Sequence, residues 1–336
     1  MAGIEGGRKI QLGAESAPGT PVAATTIWRG KGVPEDQRMV QFIDEDIGYV
    51  SGVDRTITTR LLAKFTFDPT PATFEQPYIF AAGIKNVVAG VADGAGSGRK
   101  YVYPMPTVAP NTNVIKTYTL EGGDNQQCEE MEYAFVESFK LTGKPGEAVL
   151  WSAEWTGRQL TPTTWTTGLS LPSVESILFS RGKLFIDDVS GTIGNTQKSG
   201  TFLGMELAVK TGWQIVETGD GNLYFYTIKH TREDMEVVLN LTFEHDGTAT
   251  AEKANWRSET ARLIRLQWEG SSLATPGTNF SKKTARIDLC GKWEKFEKLG
   301  SQKGNDVIAG VFRARFNSTA NLFAEFTWVN ELTSLP

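Results

Sequence analysis

Along much of the chain the large apolar residues fall on every second position. Leu61, Ala63, Phe65 and Phe67 alternate with Arg60, Lys64 and Thr66; Val149, Trp151, Ala153 and Trp155 with Ser152, Glu154 and Thr156. Met235, Val237, Leu239, Leu241 and Phe243 alternate with Glu236, Asn240 and Thr242, and Leu322, Ala324, Phe326 and Trp328 with Glu325 and Thr327. Successive side chains of a strand point to opposite faces, so each run predicts a strand with one buried face. Gly143-Lys144-Pro145-Gly146, Gly219-Asp220-Gly221-Asn222 and residues 300–305 supply turns between the runs. Helical signal is scarce. One candidate spans 72–82, ended by Gly83 and weakened by Pro77; a second spans about 251–263 with Thr250 as N-cap. The chain therefore reads as mainly antiparallel β, with about one helix per half.

The halves resemble one another. Lys64-Phe65-Thr66-Phe67-Asp68 is similar to Asn240-Leu241-Thr242-Phe243-Glu244, and each precedes a candidate helix. Thr119-Leu120-Glu121-Gly122-Gly123 is similarly placed to Gln267-Trp268-Glu269-Gly270-Ser271, and a pair of long alternating strands then closes each half. The expected organisation is two copies of one β-sandwich-plus-helix domain, 39–165 and 166–336, joined through the Pro/Thr-rich stretch 160–172. Residues 1–38, rich in Gly, Ala, Pro and Thr, are expected to form an extended arm, and residues 84–116 a long loop.

Composition narrows the function. Thirty-four Lys and Arg against 39 Asp and Glu give a net charge of −5, which disfavours tight wrapping of nucleic acid. Cys128 and Cys290 form no C-x-x-C pair and are expected to be buried free thiols. No stretch has the length of a signal-peptide core or of the ~20 apolar residues of a membrane span, so a soluble protein with no membrane partner is expected.

Few residues suggest chemistry. Asp93-Gly94-Ala95-Gly96-Ser97-Gly98-Arg99-Lys100 is glycine-rich, but extended Tyr101-Val102-Tyr103-Pro104 follows where a phosphate loop needs a helix, so a flexible hairpin tip is expected. His230 and His245 lack metalloprotease spacing, and no G-x-S-x-G elbow is present. Asp44-Glu45-Asp46, Asp187-Asp188 and Glu129-Glu130 read as solvated faces, although paired carboxylates also serve glycoside hydrolysis. Several tryptophans fall on apolar strand faces and read as core. Arg313 and Arg315 alternate with Phe312, Ala314 and Phe316, as on a solvated or intersubunit face. The expectation is no catalytic, cofactor-binding or metal-binding residue, and no cofactor.

Ile10-Gln11-Leu12-Gly13-Ala14-Glu15-Ser16-Ala17-Pro18-Gly19-Thr20-Pro21-Val22-Ala23-Ala24-Thr25 resembles the opening of tail tube proteins of long non-contractile-tailed, siphovirus-like bacteriophages, of the form I-x-x-G-x-E-x-x-x-G-T-x-V-A-A-T. The resemblance extends through Tyr118-Thr119-Leu120-Glu121-Gly122-Gly123-Asp124-Asn125 and Phe139-Lys140-Leu141-Thr142-Gly143 to Gly291-Lys292-Trp293, Val311 and Trp328-Val329-Asn330. It implies a mainly β fold of two tandem tail-tube-type β-sandwich domains, each with a flanking α-helix. Their sheets would join between subunits into a β-barrel lining a lumen.

The function so implied is structural: rings stacked into a tail tube through which genomic double-stranded DNA passes without sequence-specific binding. Two domains per chain imply a homotrimeric, pseudo-hexameric ring; a hexamer is the count if the second half only decorates. Implied partners are further copies of the chain, a tape-measure protein, a tail terminator and distal tail or baseplate proteins. The implied location is the virion tail, assembled in the bacterial host cytoplasm. Candidate self-assembly residues are Ile10, Leu12, Val22 and Trp28 in the arm and Asp93, Gly94, Gly96, Gly98, Arg99, Lys100 and Tyr101 in the loop, with lumen-lining residues unassigned. The alternatives are a carbohydrate-binding or baseplate/adhesion module of a phage and the inner tube protein of a contractile injection system.

Overall fold

A computed structural model of the 336-residue chain describes residues 2–108, 113–231 and 235–336. Part of the expected loop, 109–112, lies outside the described residues.

The chain is mainly β. The first half contains β1 (Lys9–Ala14), β2 (Thr26–Ile27), β3 (Gly32–Asp36), β4 (Met39–Phe42), β5 (Thr56–Arg60), β6 (Ala63–Pro71), α1 (Tyr78–Gly83), β7 (Val91–Ala92), β8 (Arg99–Pro104), β9 (Tyr118–Gly123), β10 (Cys128–Gly143), β11 (Leu150–Gly157) and β12 (Leu160–Thr163). The second contains β13 (Gly182–Asp188), β14 (Gln197–Lys198), β15 (Phe202–Lys210), β16 (Trp213–Val216), β17 (Thr227–His230), β18 (Glu236–Glu244), α2 (Gly247–Arg257), β19 (Arg262–Ser272), β20 (Lys282–Phe296), β21 (Gly300–Gln302), β22 (Asn305–Ala314) and β23 (Ala324–Asn330).

β10 is long enough to serve two sheets. Its first part, to Ala134, pairs with β9 and β12; its second, from Phe135, pairs with β11 and β15. β20 divides likewise, between β19 and β23 first and β22 afterwards. The same ladders recur in both halves: β1–β2 and β13–β14, β1–β9 and β13–β19, β3–β6 and β15–β18, β6–β11 and β18–β22. The bulge at Glu137 in β10 recurs at Glu294 in β20. Counted from it, Phe65 opposite Trp155 corresponds to Leu239 opposite Phe312. The two short motifs legible in the sequence are therefore similar in composition and place but offset from the structural register, by two residues in β6 and four in β9.

Among the described residues one ladder has no repeat inside the chain. β10 pairs with β15 from Ser138–Lys210 to Gly143–Met205, joining the halves into one sheet ordered β3-β6-β11-β10-β15-β18-β22-β20. No path of pairings among the described strands returns to its start. The sheet is open, with β3 at one edge and the end of β20 at the other.

Several sequence expectations need correction. Residues 9–36 are not an arm: β1 is a central strand between β2 and β9, and Ile10, Leu12 and Trp28 are buried. The first repeat therefore starts near residue 9, not 39. Leu160–Thr163, placed in a linker, is β12 and pairs with β10. The first helix covers only Tyr78–Gly83, because Ala72 is held extended by its N–H to the Val149 carbonyl and Pro77 stands at the N-cap. The second begins earlier than expected, since Asp246, not Thr250, is the cap: its carboxylate accepts the Ala249 N–H at 2.9 Å. It stops at Arg257, before Glu259 adopts φ +54°.

The core is continuous between the halves. Phe80 of α1 packs on Trp328 at 4.5 Å between ring centroids, on Phe326 at 5.1 Å and on Phe139 at 5.3 Å. All six residues of α1 are buried, so it is an interior helix between the repeats. Only Ala249 and Glu252 of α2 are buried. The two helices occupy equivalent places, but α1 is covered by the second repeat and α2 is largely uncovered.

Candidate assembly interface

The joint between the repeats defines a mating pair, and both of its counterparts are free. β10 corresponds to β20 and β15 to β3, so the internal ladder β10–β15 has its unused equivalents at the two open edges. At the β3 edge, Gln37 donates to the Leu62 carbonyl and Lys31 accepts from the Asp68 N–H, so residues 31 and 37 hydrogen-bond toward β6. Alternation turns Gly32, Pro34 and Asp36 outward. Their equivalents Met205, Leu207 and Val209 pair with Gly143, Leu141 and Phe139. Pro34 has no N–H to offer, which blunts an otherwise complete edge against indiscriminate strand pairing. Val33 and Leu299 are 40% and 51% exposed. Counting by the repeat places them near one another across the joint, as Glu206 is opposite Thr142, with one extra residue between Glu297 and Gly300 shifting the register there.

The face of the eight-stranded sheet turned away from the core carries charge. Of its cations, Lys64, Lys210, Arg313 and Lys295 are ion-paired, with Glu137, Glu236, Glu236 together with Glu294, and Glu297 respectively, while exposed Lys140 and Lys292 have no ion pair among the described residues. Hydrogen bonds from Arg313 hold the Glu236 and Glu294 carboxyls below the usual range. Glu35, Glu154 and Glu206 have no cationic partner among the described residues; Glu154 accepts only the Thr66 hydroxyl, at 2.9 Å. The face is left acidic.

Each repeat also inserts a hairpin at one point, β4–β5 between β3 and β6 and β16–β17 between β15 and β18. The second hairpin lies on the first repeat. Trp213 Nε1 donates to the Gly83 carbonyl at the end of α1 at 2.8 Å, and Trp213, Ile215 and Ile228 cover Leu62, Tyr133 and Phe135. Arg158 donates to the carbonyls of Phe225 and Tyr226, at 3.1 and 2.8 Å, in the loop joining β16 to β17. The first hairpin has no such seat. Met39, Val40, Phe42 and Ile57, with Ile47 and Tyr49 of its loop, are all exposed.

The residues singled out in the sequence are placed differently. Gly13, Glu15 and Gly19 of the opening motif close a turn inside the first repeat: the Glu15 carboxylate accepts from the Gly19 and Tyr133 N–H groups, each at 2.8 Å, and from the Thr119 hydroxyl at 3.1 Å. Gly19 has φ +79°, a conformation that favours glycine. Ile10, Leu12 and Trp28 are core, with Trp28 at 4.8 Å from Phe67; half-buried Val22 donates to the Thr119 hydroxyl. The glycine-rich segment is not a free tip. β8 pairs with β23, so the loop of the first repeat extends a sheet of the second, with Arg99 opposite Asn330 and Lys100 opposite Val329. Asp93 is buried and accepts from the Asn279 N–H and side-chain amide and from the Phe280 N–H, at 2.7–2.8 Å. Gly94 has φ +63°, Gly96 lies so close to Gly277 that a Cβ would overlap it, and the buried Tyr101 donates to the Leu332 carbonyl at 2.6 Å. Gly98 packs on Leu273.

Several of the remaining chemistry-bearing groups are committed to structure. Asp187 caps three backbone N–H groups of residues 194–196, and Asp188 pairs with Arg262. His230 bonds the Thr211 carbonyl. Burial pushes the Cys128 thiol up to about 12 and the Cys290 thiol to about 11. Trp151, Trp155, Trp268, Trp293 and Trp328 are buried; Trp165 and Trp256 are half-buried. Among the described residues no group of His, Cys, Asp and Glu is arranged to hold a metal ion, and no helix is long and apolar enough to cross a membrane. No family model and no curated protein matches the chain.

Proposed function

We propose that the chain is the structural subunit of a tube of the phage-tail type, in which three copies close into a ring of six equivalent repeats. The observation that carries this reading is the ladder β10–β15. It is an antiparallel joint between two copies of one domain, and the strands equivalent to its two sides are the two edges left open. Repeating the same joint, β20 of one copy against β3 of the next, continues the sheet around an axis until the edges meet. Closure then satisfies edge groups that would otherwise recruit strands at random. The wet face of that sheet becomes the lumen. Most of its cations are already neutralised, and the unpaired Glu35, Glu154 and Glu206 outnumber the unpaired Lys140 and Lys292, so it disfavours a grip on phosphate and lets a duplex pass. Stacking of rings is a heterologous contact that grows a filament. Tape-measure, terminator and distal tail proteins would be the partners of such a tube.

The experiment is negative-stain electron microscopy of the concentrated protein, with end-on views averaged for symmetry. Hollow rings or tubes with six lobes in three pairs are expected. A chain that stays monomeric at every concentration, salt and temperature tried would overturn the reading.

A further inference from the structure

The internal hairpin seat has an empty equivalent. On the first repeat, the seat of β16–β17 is formed by the end of α1, by Leu62, Tyr133 and Phe135, and by Arg158 just after β11. Counting by the repeat register, the second repeat offers the end of α2 at Arg257, then Glu236 of β18 and Lys292 of β20, and Arg315 just after β22. The correspondence is supported at Arg158 and Arg315 themselves: the Arg158 N–H donates to the Glu132 carbonyl, and the Arg315 N–H donates to the Cys290 carbonyl, at the same place in the two ladders. At that place on the second repeat there is a hollow of about 470 Å³ lined by Trp256, Arg257, Glu259, Lys292, Trp293 and Glu294.

We infer that this hollow receives the β4–β5 hairpin of a second copy of the chain. The inference rests on the ring reading above and adds the segment that locks each joint. Four observations favour this occupant. The operator that lays β16–β17 on the first repeat lays β4–β5 of the next copy on the second. The hairpin is the chain's main exposed apolar projection, with Phe42 and Tyr49 70% and 71% exposed. On the seat, Arg257, Lys292 and Arg315 have no ion-pair partner among the described residues, and Phe316 beside them is 46% exposed. The loop of the hairpin carries Asp44, Glu45, Asp46 and Asp54 against the single cation Arg55. Arg158 already donates to two carbonyls of the hairpin loop on its own seat. Arg315 bonds only the neighbouring Ala314 carbonyl, at 3.3 Å, and is free to repeat the gesture toward a second molecule.

The test is paired cross-linking in the full chain. Val40 corresponds to Trp213 and Arg257 to Gly83, so Val40→Cys with Arg257→Cys is treated with a short bis-maleimide. Glu35→Cys with Glu297→Cys, which stand where Ala208 and Lys140 pair in the internal joint, reports the sheet edge separately, by disulfide formation. The parent chain, with its two buried thiols, is the background. Both pairs are expected to give covalent ladders ending at three copies. An edge pair that links while the hairpin pair does not overturns the hairpin seat and leaves the ring intact. Neither pair linking overturns the ring and the seat together. A hairpin pair linking alone keeps the seat and removes the continuous sheet. Arg315→Ala should in addition raise the concentration needed for assembly about tenfold while the monomer unfolds normally, as expected for a lost charge-assisted hydrogen bond. An unchanged threshold counts against the seat.

Discussion

Leu299→Glu tests the joint at one side chain. Leu299 is 51% exposed and Val33 is 40% exposed, and the proposed joint would bring them within one residue of facing each other between copies. Complete burial of such a side chain contributes ~1.5–3 kcal/mol, so covering the exposed half of each contributes about 1 kcal/mol. Glutamate at 299 forfeits the leucine's share and uncovers part of Val33. It also sets a carboxylate beside Glu35 and Glu297, a cross-strand repulsion of ~0.5 kcal/mol or more. The sum, about 2 kcal/mol per joint, raises the critical concentration for assembly roughly thirtyfold. The isolated subunit should be indifferent, since a substitution at an exposed site away from caps and cores shifts stability by within ~0.5 kcal/mol. The assay is sedimentation of assembled material over a concentration series, with urea unfolding of the monomer alongside. Val33→Lys added to Leu299→Glu should restore most of the loss by opposing charges. Assembly of the single variant at the parental threshold, with normal rings, would refute the proposed joint.

Three further outcomes follow from the interior. Asp93→Ala should cost about 2–4 kcal/mol in urea unfolding, because the buried Phe280 N–H and the part-buried Asn279 N–H lose a charged acceptor and such bonds contribute up to ~1.5–3 kcal/mol each; a loss under 1 kcal/mol would show that β8 is held by its ladder to β23 alone. Burial alone would raise the Asp93 pKa, but the bonds from Asn279 and Phe280 prevail and lower it beneath the ordinary 3.8. A depressed carboxyl contributes stability that is present above the unfolded value and lost as pH falls through the folded one, so hydrogen exchange in β8 should accelerate below about pH 4 in the parent, less so in Asp93→Ala. Cys128 and Cys290 should resist a thiol reagent at pH 8 for as long as the chain stays folded, with thiols up at about 12 and 11, and should react in step with unfolding.

What the sequence disclosed depended on whether a signal was local. The alternations at Phe65–Phe67 and at Val237, Leu239, Leu241 and Phe243 were plain, because each strand's inward face is uniformly apolar. The repeat was visible in element order, though bulges and unequal hairpins shifted the short motifs out of register. β1 was missed as a strand because it is short, flanked by Gly, Ala, Pro and Thr, and pairs with β9 more than a hundred residues away. Its Ile10 and Leu12 still alternate with Lys9 and Gln11, which was the available signal. Burial of Glu15 and Glu121 disguised the inside of that region as surface, since a carboxylate that accepts several N–H and O–H groups cannot be told from a solvated one by its letter. The docking of Asp93 on Asn279 and Phe280 had no local trace. The open edges and the empty hairpin seat became visible only when the two repeats were compared in three dimensions.

The two hairpin seats, alike in place, differ in chemistry. Leu62 and Phe135 of the first become Glu236 and Lys292 in the second. A tethered hairpin is always at hand, at an effective concentration no free partner reaches, and an oily landing site there is never left bare. A landing site that must wait for another molecule stays wet until it is filled, and a charged one does so without drawing in strangers. In the proposed ring, two repeats on one chain would thus make one contact a hinge pin and the other a latch, permanent on one side and timed on the other.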